Sequence, residues 1–258
     1  MKAEVSSMKT ATEIGKEYKA LTEKDYQAFI DEYKADDRAA VQKYIATINK
    51  KIEALKLEKE RMHVMFEFER MHPDCQFICG VDEVGRGPLA GPVVAGAVIL
   101  PKDCDILYLN DSKQLSEKKR EELFVEIMEK AIATGIGQAS PERIDEINIL
   151  QADYEAMREA ISKLSVKPDL LLNDAVNIPE VDIPQVSIIK GDAKSASIAA
   201  GSIIAKVTRD HMMVAYDHEY PEYGFASNKG YGSQAHIEAI KKYGPCPIHR
   251  RSFITHFI

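Results

Sequence analysis

A chain of 258 residues with 45% apolar residues is long enough to bury one α/β core of about 180 residues and still carry an appendage. Its formal charge of −7, its polar start MKAEVSSMKTATEIGKEYK and its lack of any run of about 18 apolar residues exclude a membrane span and a secretory signal, and imply a soluble, cytoplasmic protein. Cys75, Cys79, Cys104 and Cys246 are expected to be free thiols, because a chain with this much core needs no staples, and Cys75-x3-Cys79 is not a zinc-knuckle spacing even with Cys246 and His249 downstream.

Residues 1–72 carry helical periodicity, are rich in Lys and Glu, and hold no glycine after Gly15. Ile45, Ile48, Ile52 and Leu55 recur at three- to four-residue intervals beside charged residues, which predicts an amphipathic helical hairpin as an N-terminal extension. Such an arm either packs weakly on its own body or grips a substrate or partner. From Pro73 the texture changes, and residues 73–258 read as one domain. Strands are predicted at 76–81, 93–100, 134–138, 169–172 and 186–189. Helices are predicted at 116–133, 141–164 and 197–216, with Ser116 and the Ser140–Pro141 pair as start signals. This order predicts a mixed sheet flanked by helices. From Asn228 on, Lys229, Lys241, Lys242, Arg250 and Arg251 face a single acid, Glu238, so an acidic chain ends on a basic segment suited to a phosphate-bearing partner.

The segment FICGVDEVGRGPLAGPVVAGAVIL runs an apolar strand into Asp82 and Glu83. An unpaired carboxylate in a low-dielectric interior costs several kcal/mol or gives up its charge, so two acids here call for a cation. Asp174 after DLLLN and Asp192 after QVSIIKG repeat the pattern of an acid where the chain leaves a strand. Singly each is a turn or capping residue; together they describe a site at strand ends. Asp and Glu oxygens without His or Cys suit Mg²⁺ or Mn²⁺. Neighbouring strand residues point to opposite faces, so either the strand has bent at Glu83 or Glu83 contributes through its carbonyl or a water. Gly85 and Gly87 expose backbone to a second molecule and Arg86 adds a fixed cation, against the plainer reading of a tight turn.

GVDEVGRGPLAGPVVAGAVIL, DSKQLSEKKR, LLNDA, KGDAKSASIAAGSIIAKVTRD, NKGYG and GPCPIHRRSF occur in this order, and over residues 76–253 the chain resembles bacterial ribonuclease HII, the type 2 ribonuclease H. The resemblance implies a ribonuclease H-like fold and an endonuclease that cuts 5′ to a ribonucleotide, both in RNA/DNA hybrids and at single ribonucleotides embedded in duplex DNA. It implies that Asp82, Glu83, Asp174 and Asp192 bind two divalent ions, Mg²⁺ or Mn²⁺, and that cleavage leaves 3′-hydroxyl and 5′-phosphate ends. Gly85, Arg86 and Gly87 would read the 2′-hydroxyl, and Tyr231 would stack on the sugar beyond the junction. Asp210 competes as the fourth acid, but it falls deep inside the last predicted helix, so Asp192 is preferred. Lys113, Lys194, Lys206 and Lys229 are candidates for holding phosphates, against the plainer reading of solvated charges. The expected partner is nucleic acid, the expected role ribonucleotide excision repair, and the expected state a monomer.

Asn173 before Asp174 and Gly201 in the last helix depart from the family pattern; the first bears on how Asp174 is held, and the second costs about 1 kcal/mol of helix propensity. A ribonuclease HIII-like hydrolase shares the acids but implies a strand-rich N-terminal domain. A non-catalytic nucleic-acid-binding module is opposed by the complete set of acids.

Overall fold

The structure, a computed structural model, describes residues 9–258. The chain forms two compact units, divided between Arg61 and Met62.

In the first unit, α1 (Ala11–Ala20) and α2 (Tyr26–Tyr33) precede the long α3 (Ala39–Met65). A capping box between Thr10 and Glu13 starts α1. The periodic apolar positions Ile14, Phe29, Tyr33, Val41, Ile45 and Ile48 form this unit's own core, with Tyr18 stacked on Tyr44 at 4.5 Å. The predicted hairpin thus has a further helix, because Phe29 and Tyr33 supply a third apolar face.

The second unit starts ahead of the composition change at Pro73. Met62, Met65 and Phe66 pack with Val98, Leu100 and Ile106, and Phe68, in α4 (Glu67–Arg70), packs with Leu170 and Ile198. Its strands are β1 (Ile78–Val84), β2 (Val93–Ile99), β3 (Ala133–Ala139), β4 (Leu170–Asp174) and β5 (Gln185–Ile188). They form a sheet in the order β3-β2-β1-β4-β5, antiparallel from β3 to β1 and parallel from β1 to β5, as the mixed-sheet expectation requires.

Between β2 and β3 lies α5 (Glu117–Lys130), with Ser116 accepting from the Lys119 amide. The single helix predicted over 141–164 is two, α6 (Pro141–Ile147) and α7 (Ile149–Ser162). Asn148 breaks them with φ 67° and caps α7 by accepting from the Leu150 and Gln151 amides. Then follow α8 (Ala196–Glu219), α9 (Phe225–Asn228), α10 (Gln234–Tyr243) and α11 (Arg251–Ile254). The last three were not predicted, although Ser233 is a sequence-visible cap for α10, accepting from the His236 amide.

Strand alternation assigns the two faces of the sheet. Cys79, Val81, Ala95 and Ala97 meet Ala152, Ala156 and Ala160 of α7, whereas Val94 and Val98 meet α8. Burial on both faces accounts for the apolar run at the start of β1, up to Val81, and for the unbroken apolar character of β2. Close approach explains Gly201: a Cβ there would stand 2.9 Å from the Gly96 carbonyl and 3.4 Å from the Asp82 amide, so its helix-propensity cost secures contact with the strand that carries the acids.

Candidate active site

The strand expected to end at Val81 continues through Asp82 and Glu83, which pair in register with Gly96 and Ala95. It does not bend at Glu83. The two carboxylates therefore lie on opposite faces of β1, Asp82 by the Ser202 hydroxyl of α8 and Glu83 by Asp153 of α7. Asp174, at the end of the neighbouring β4, repels both. Burial, then Glu83 and Asp174, raise the Asp82 carboxyl well above the usual range, and burial, with Asp153 and Asp174, pushes Glu83 up to about 7.

Asp174 also fixes its neighbour. Its Oδ1 accepts from the Gly191 amide at 2.7 Å, tying it to the turn Gly191–Ala193 that carries Asp192. Burial, with Asp111 and Asp174 nearby, raises Asp192. The departure at Asn173 proves constructive. Its Nδ2 donates to Gln185 Oε1 at 2.7 Å, and Gln185 bonds both the amide and the carbonyl of Ile178, pinning the loop after Asp174.

Lys113 belongs to the same cluster. Burial opposes its charge, but Asp111, Asp82 and Asp192 outweigh it and hold the ammonium above its ordinary range. Ser112 anchors this loop through the Ser202 hydroxyl at 2.9 Å, and Arg120 Nη1 donates to the Ser112 carbonyl at 2.9 Å.

The GRG turn stands beside the acids. Arg86 places Nη1 3.5 Å from Glu83 Oε1 and Nε 3.5 Å from Asp153 Oδ2. Asp153 was missed from the sequence. It is fully buried, its carboxyl is pushed up to about 7 by burial, and neither oxygen has a hydrogen-bond partner among the described residues. It was legible as the one acid on the apolar face that includes Ala152, Ala156, Met157 and Ala160. The two glycines differ in role. Gly85 has φ +96° and a Cβ there would fall 2.3 Å from Arg209 Nε, whereas a Cβ at Gly87 would meet only the Tyr231 ring, at 3.9 Å. Gly85 is dictated from inside the protein, and Gly87 leaves a slot beside the exposed Tyr231.

A chain of neutral histidines holds the Tyr231 backbone. The Tyr231 carbonyl requires a proton on His236 Nδ1, 2.8 Å away, so His236 Nε2 accepts from His249 Nε2 at 3.0 Å, and His249 Nδ1 accepts from the Cys246 amide at 3.0 Å. Burial pushes His249 down to about 4 and also lowers His236. The unfolded chain, with its histidine near 6.5, takes up protons first as pH falls, so stability present above about pH 6.5 is lost toward pH 4. The shift corresponds to about 3 kcal/mol. His249→Gln should be less stable than the parent at pH 7, and that gap should shrink by about this amount at pH 4. Equal denaturant midpoint differences at the two pH values would contradict it.

Several predicted contacts are not brought together with the acids. Lys206 is paired with Asp210 at 2.6 Å inside α8, and Asp210 lies 4.0 Å from Arg120, which makes it a helix-packing acid. The Lys229 ammonium turns back onto the Ala226 carbonyl, while Lys194 is exposed just after Asp192. Arg250, expected on a basic surface, is fully buried and bonded to backbone carbonyls. The four cysteines are free, and the buried Cys79 thiol is pushed up to about 12 by burial.

Among the described residues no three His, Cys, Asp or Glu side chains close into a ready-made metal cage. The donor chemistry nonetheless fits a hard cation. It consists of carboxylate oxygens, Glu83 Oε2 is buried with no hydrogen-bond partner among the described residues, and the mutual repulsion at Asp82 and Glu83 is of the kind a divalent ion relieves.

The ribonuclease HII family model matches residues 79–256, and the model of the ribonuclease HII N-terminal domain matches residues 10–72. The chain belongs to the ribonuclease HII family. Ribonuclease HII of Lachnoclostridium phytofermentans is 63% identical over 243 residues, covering 94% of this chain and 96% of that protein. The Clostridioides difficile ribonuclease HII is 50% identical, covering 97% and 99%. Among solved structures, ribonuclease H2 of Pyrococcus horikoshii shows 31% identity and a TM-score of 0.58 over 68% of this chain and 93% of that one. The Archaeoglobus fulgidus ribonuclease HII, solved with PCNA, shows 29% identity and a TM-score of 0.58 over 68% and 94%. The chain is therefore a type 2 ribonuclease H, a nuclease of the hydrolase class. Among the described residues no helix is long and apolar enough to cross a membrane.

Within a ribonuclease HII the two glycines of GRG should respond differently to substitution. Gly85→Ala should lower the melting temperature, because its Cβ meets Arg209 and the positive φ is strained. Gly87→Ala should melt like the parent and lose about tenfold or more in kcat/KM, because its Cβ projects into the slot beside Tyr231. Melting curves and steady-state rates on the two variants check this.

Proposed function

We propose that this ribonuclease H hydrolyses the strand on the 5′ side of a ribonucleotide, in RNA/DNA hybrids and at a single ribonucleotide in duplex DNA, and that it serves ribonucleotide removal in the cytoplasm. The observation that carries the reading is the crowding of Asp82, Glu83 and Asp192, from β1 and the turn after β5, each within electrostatic reach of Asp174 at the end of β4. These four would hold two Mg²⁺ or Mn²⁺ ions, which when bound supply acidity to the attacking water and charge relief at the leaving 3′-oxygen. Products are a 3′-hydroxyl and a 5′-phosphate.

The chain's own groups bind and orient. Lys113 beside the acids offers a cation to the scissile phosphate, and the exposed Lys194 one to the flanking backbone. Gly87 and the neighbouring backbone of Gly85 and Arg86 meet the 2′-hydroxyl, which is both donor and acceptor. Tyr231 packs on the following sugar, and Lys229 supports its loop. All of these residues come from one chain, so a monomer suffices.

The test is a pair of labelled duplexes, one with a single ribonucleotide and one with four, incubated with Mg²⁺ or Mn²⁺ and mapped for cleavage. Cutting of both, 5′ to the ribonucleotide, is expected. Efficient cutting of the run of four with none at the single site would overturn the assignment in favour of a ribonuclease HIII-like specificity.

A further inference from the structure

Behind the slot between Gly87 and Tyr231 lie two arginines, Arg209 of α8 and Arg250 just before α11, both fully buried. Neither forms an ion pair with a carboxylate among the described residues. Each instead spends its guanidinium on three backbone carbonyls. Arg250 donates from Nε to Gly91 at 2.9 Å, from Nη1 to Arg86 at 3.0 Å and from Nη2 to Gly85 at 2.5 Å. Arg209 donates from Nε to Pro92 at 2.9 Å, from Nη1 to Lys229 at 2.9 Å and from Nη2 to Ala90 at 3.1 Å.

A buried cation without an acid is costly, and methionine or leucine would fill the same volume. What those residues lack is a planar fork of five N–H groups able to join carbonyls from separate segments at fixed angles. The segments joined are the GRG turn, its exit at Ala90–Pro92, and Lys229 at the start of the loop that carries Tyr231. One backbone bond crosses the same seam, the Leu89 amide donating to the Gly230 carbonyl at 2.8 Å, and the Arg250 amide ties its own segment to the Leu89 carbonyl at 2.9 Å.

We infer that Arg209 and Arg250 are positioning residues: Arg250 holds the GRG turn against its own exit at Gly91, and Arg209 ties that exit to Lys229 at the start of the Tyr231 loop, together fixing the slot in which a ribonucleotide is distinguished from a deoxyribonucleotide. The inference rests on the proposed reading of the 2′-hydroxyl at that slot. It makes geometry, not charge, the contribution of these two cations. Lysine at either position keeps the charge, but its three N–H groups radiate from one nitrogen and cannot span carbonyls that each face a different nitrogen of a planar fork.

Arg250→Lys and Arg209→Lys are therefore the test, with kcat and KM measured on the one-ribonucleotide and four-ribonucleotide duplexes. A misplacement of about 1 Å costs about a hundredfold in rate, so kcat on the single ribonucleotide should fall by about that factor. KM should stay within about threefold, since no substrate contact is removed, and the preference between the two duplexes should shift about tenfold toward the run of four. Folded lysine variants with the parent's kcat and preference would overturn the inference and show that charge alone is used.

If neither variant folds, amide hydrogen exchange of the unaltered enzyme decides. The Leu89, Gly91, Tyr231 and Arg250 amides should exchange through one shared opening, and distinct opening free energies for the two segments would overturn the clamp. Failure of the underlying reading looks different, because the unaltered enzyme would then not cut at a single ribonucleotide at all.

Discussion

Asp82→Asn should reduce turnover by at least about a thousandfold, equivalent to about 4 kcal/mol of transition-state stabilisation, while duplex binding is retained or improved. The asparagine is nearly isosteric and relieves the repulsion that Asp82 suffers from Glu83 and Asp174, so the fold should hold and melt no lower. What is lost is a carboxylate oxygen able to hold a divalent ion, and with it a negative charge that repels the phosphate backbone. Asp192→Asn should behave similarly. Asp210→Asn should be mild in turnover, because that residue is already occupied with Lys206 and Arg120. Single-turnover rates at saturating Mg²⁺, together with duplex binding, check the series. Substantial activity in Asp82→Asn would remove it from metal binding, and a severe Asp210→Asn with a mild Asp192→Asn would reassign the fourth acid.

Replacing the one ribonucleotide of a cleavable duplex by its 2′-deoxy analogue should abolish cutting, with a loss of about 10⁴-fold or more in kcat/KM. A site built to hydrogen-bond a hydroxyl rejects an analogue without it by about 10⁴–10⁵, because its own polar groups are left unpaired. The slot has the required ingredients: an exposed Gly87 with no side chain, and a ring 3.9 Å from where one would begin. Tyr231→Ala should lose the preference for an RNA-to-DNA step along with most of the rate. A 2′-deoxy duplex cut within tenfold of the ribonucleotide duplex would show that discrimination lies elsewhere.

Residues whose chemistry is local were readable in the sequence. Ser116 and Ser140 announced helix starts that the structure repeats, and the acids near strand ends marked where the structure crowds carboxylates. The β1 boundary was misjudged because a carboxylate looks like the end of a buried strand, whereas Asp82 and Glu83 stay in the ladder. The roles of Arg209 and Arg250 were missed for a different reason. Their partners lie far away in the chain, as in the separation of Arg250 from Gly85, and no local pattern tells a solvated guanidinium from one spent on carbonyls. Asn148 was passed over because nothing in its neighbours reveals a residue at φ 67° between two helices.

Glu69 lies within the span matched by the N-terminal family model, yet its carboxylate accepts from Ser195 Oγ at 2.7 Å and from the Ser197 amide at 2.9 Å, at the start of α8. The inherited module and the packed unit thus end at different residues, 72 and 61. A protein trimmed to begin at residue 73 would lose that helix start together with Met62, Met65 and Phe68, and should melt several degrees lower for reasons unrelated to the arm. One trimmed to begin at Met62 keeps the catalytic unit whole, and only that cut asks the arm what it contributes.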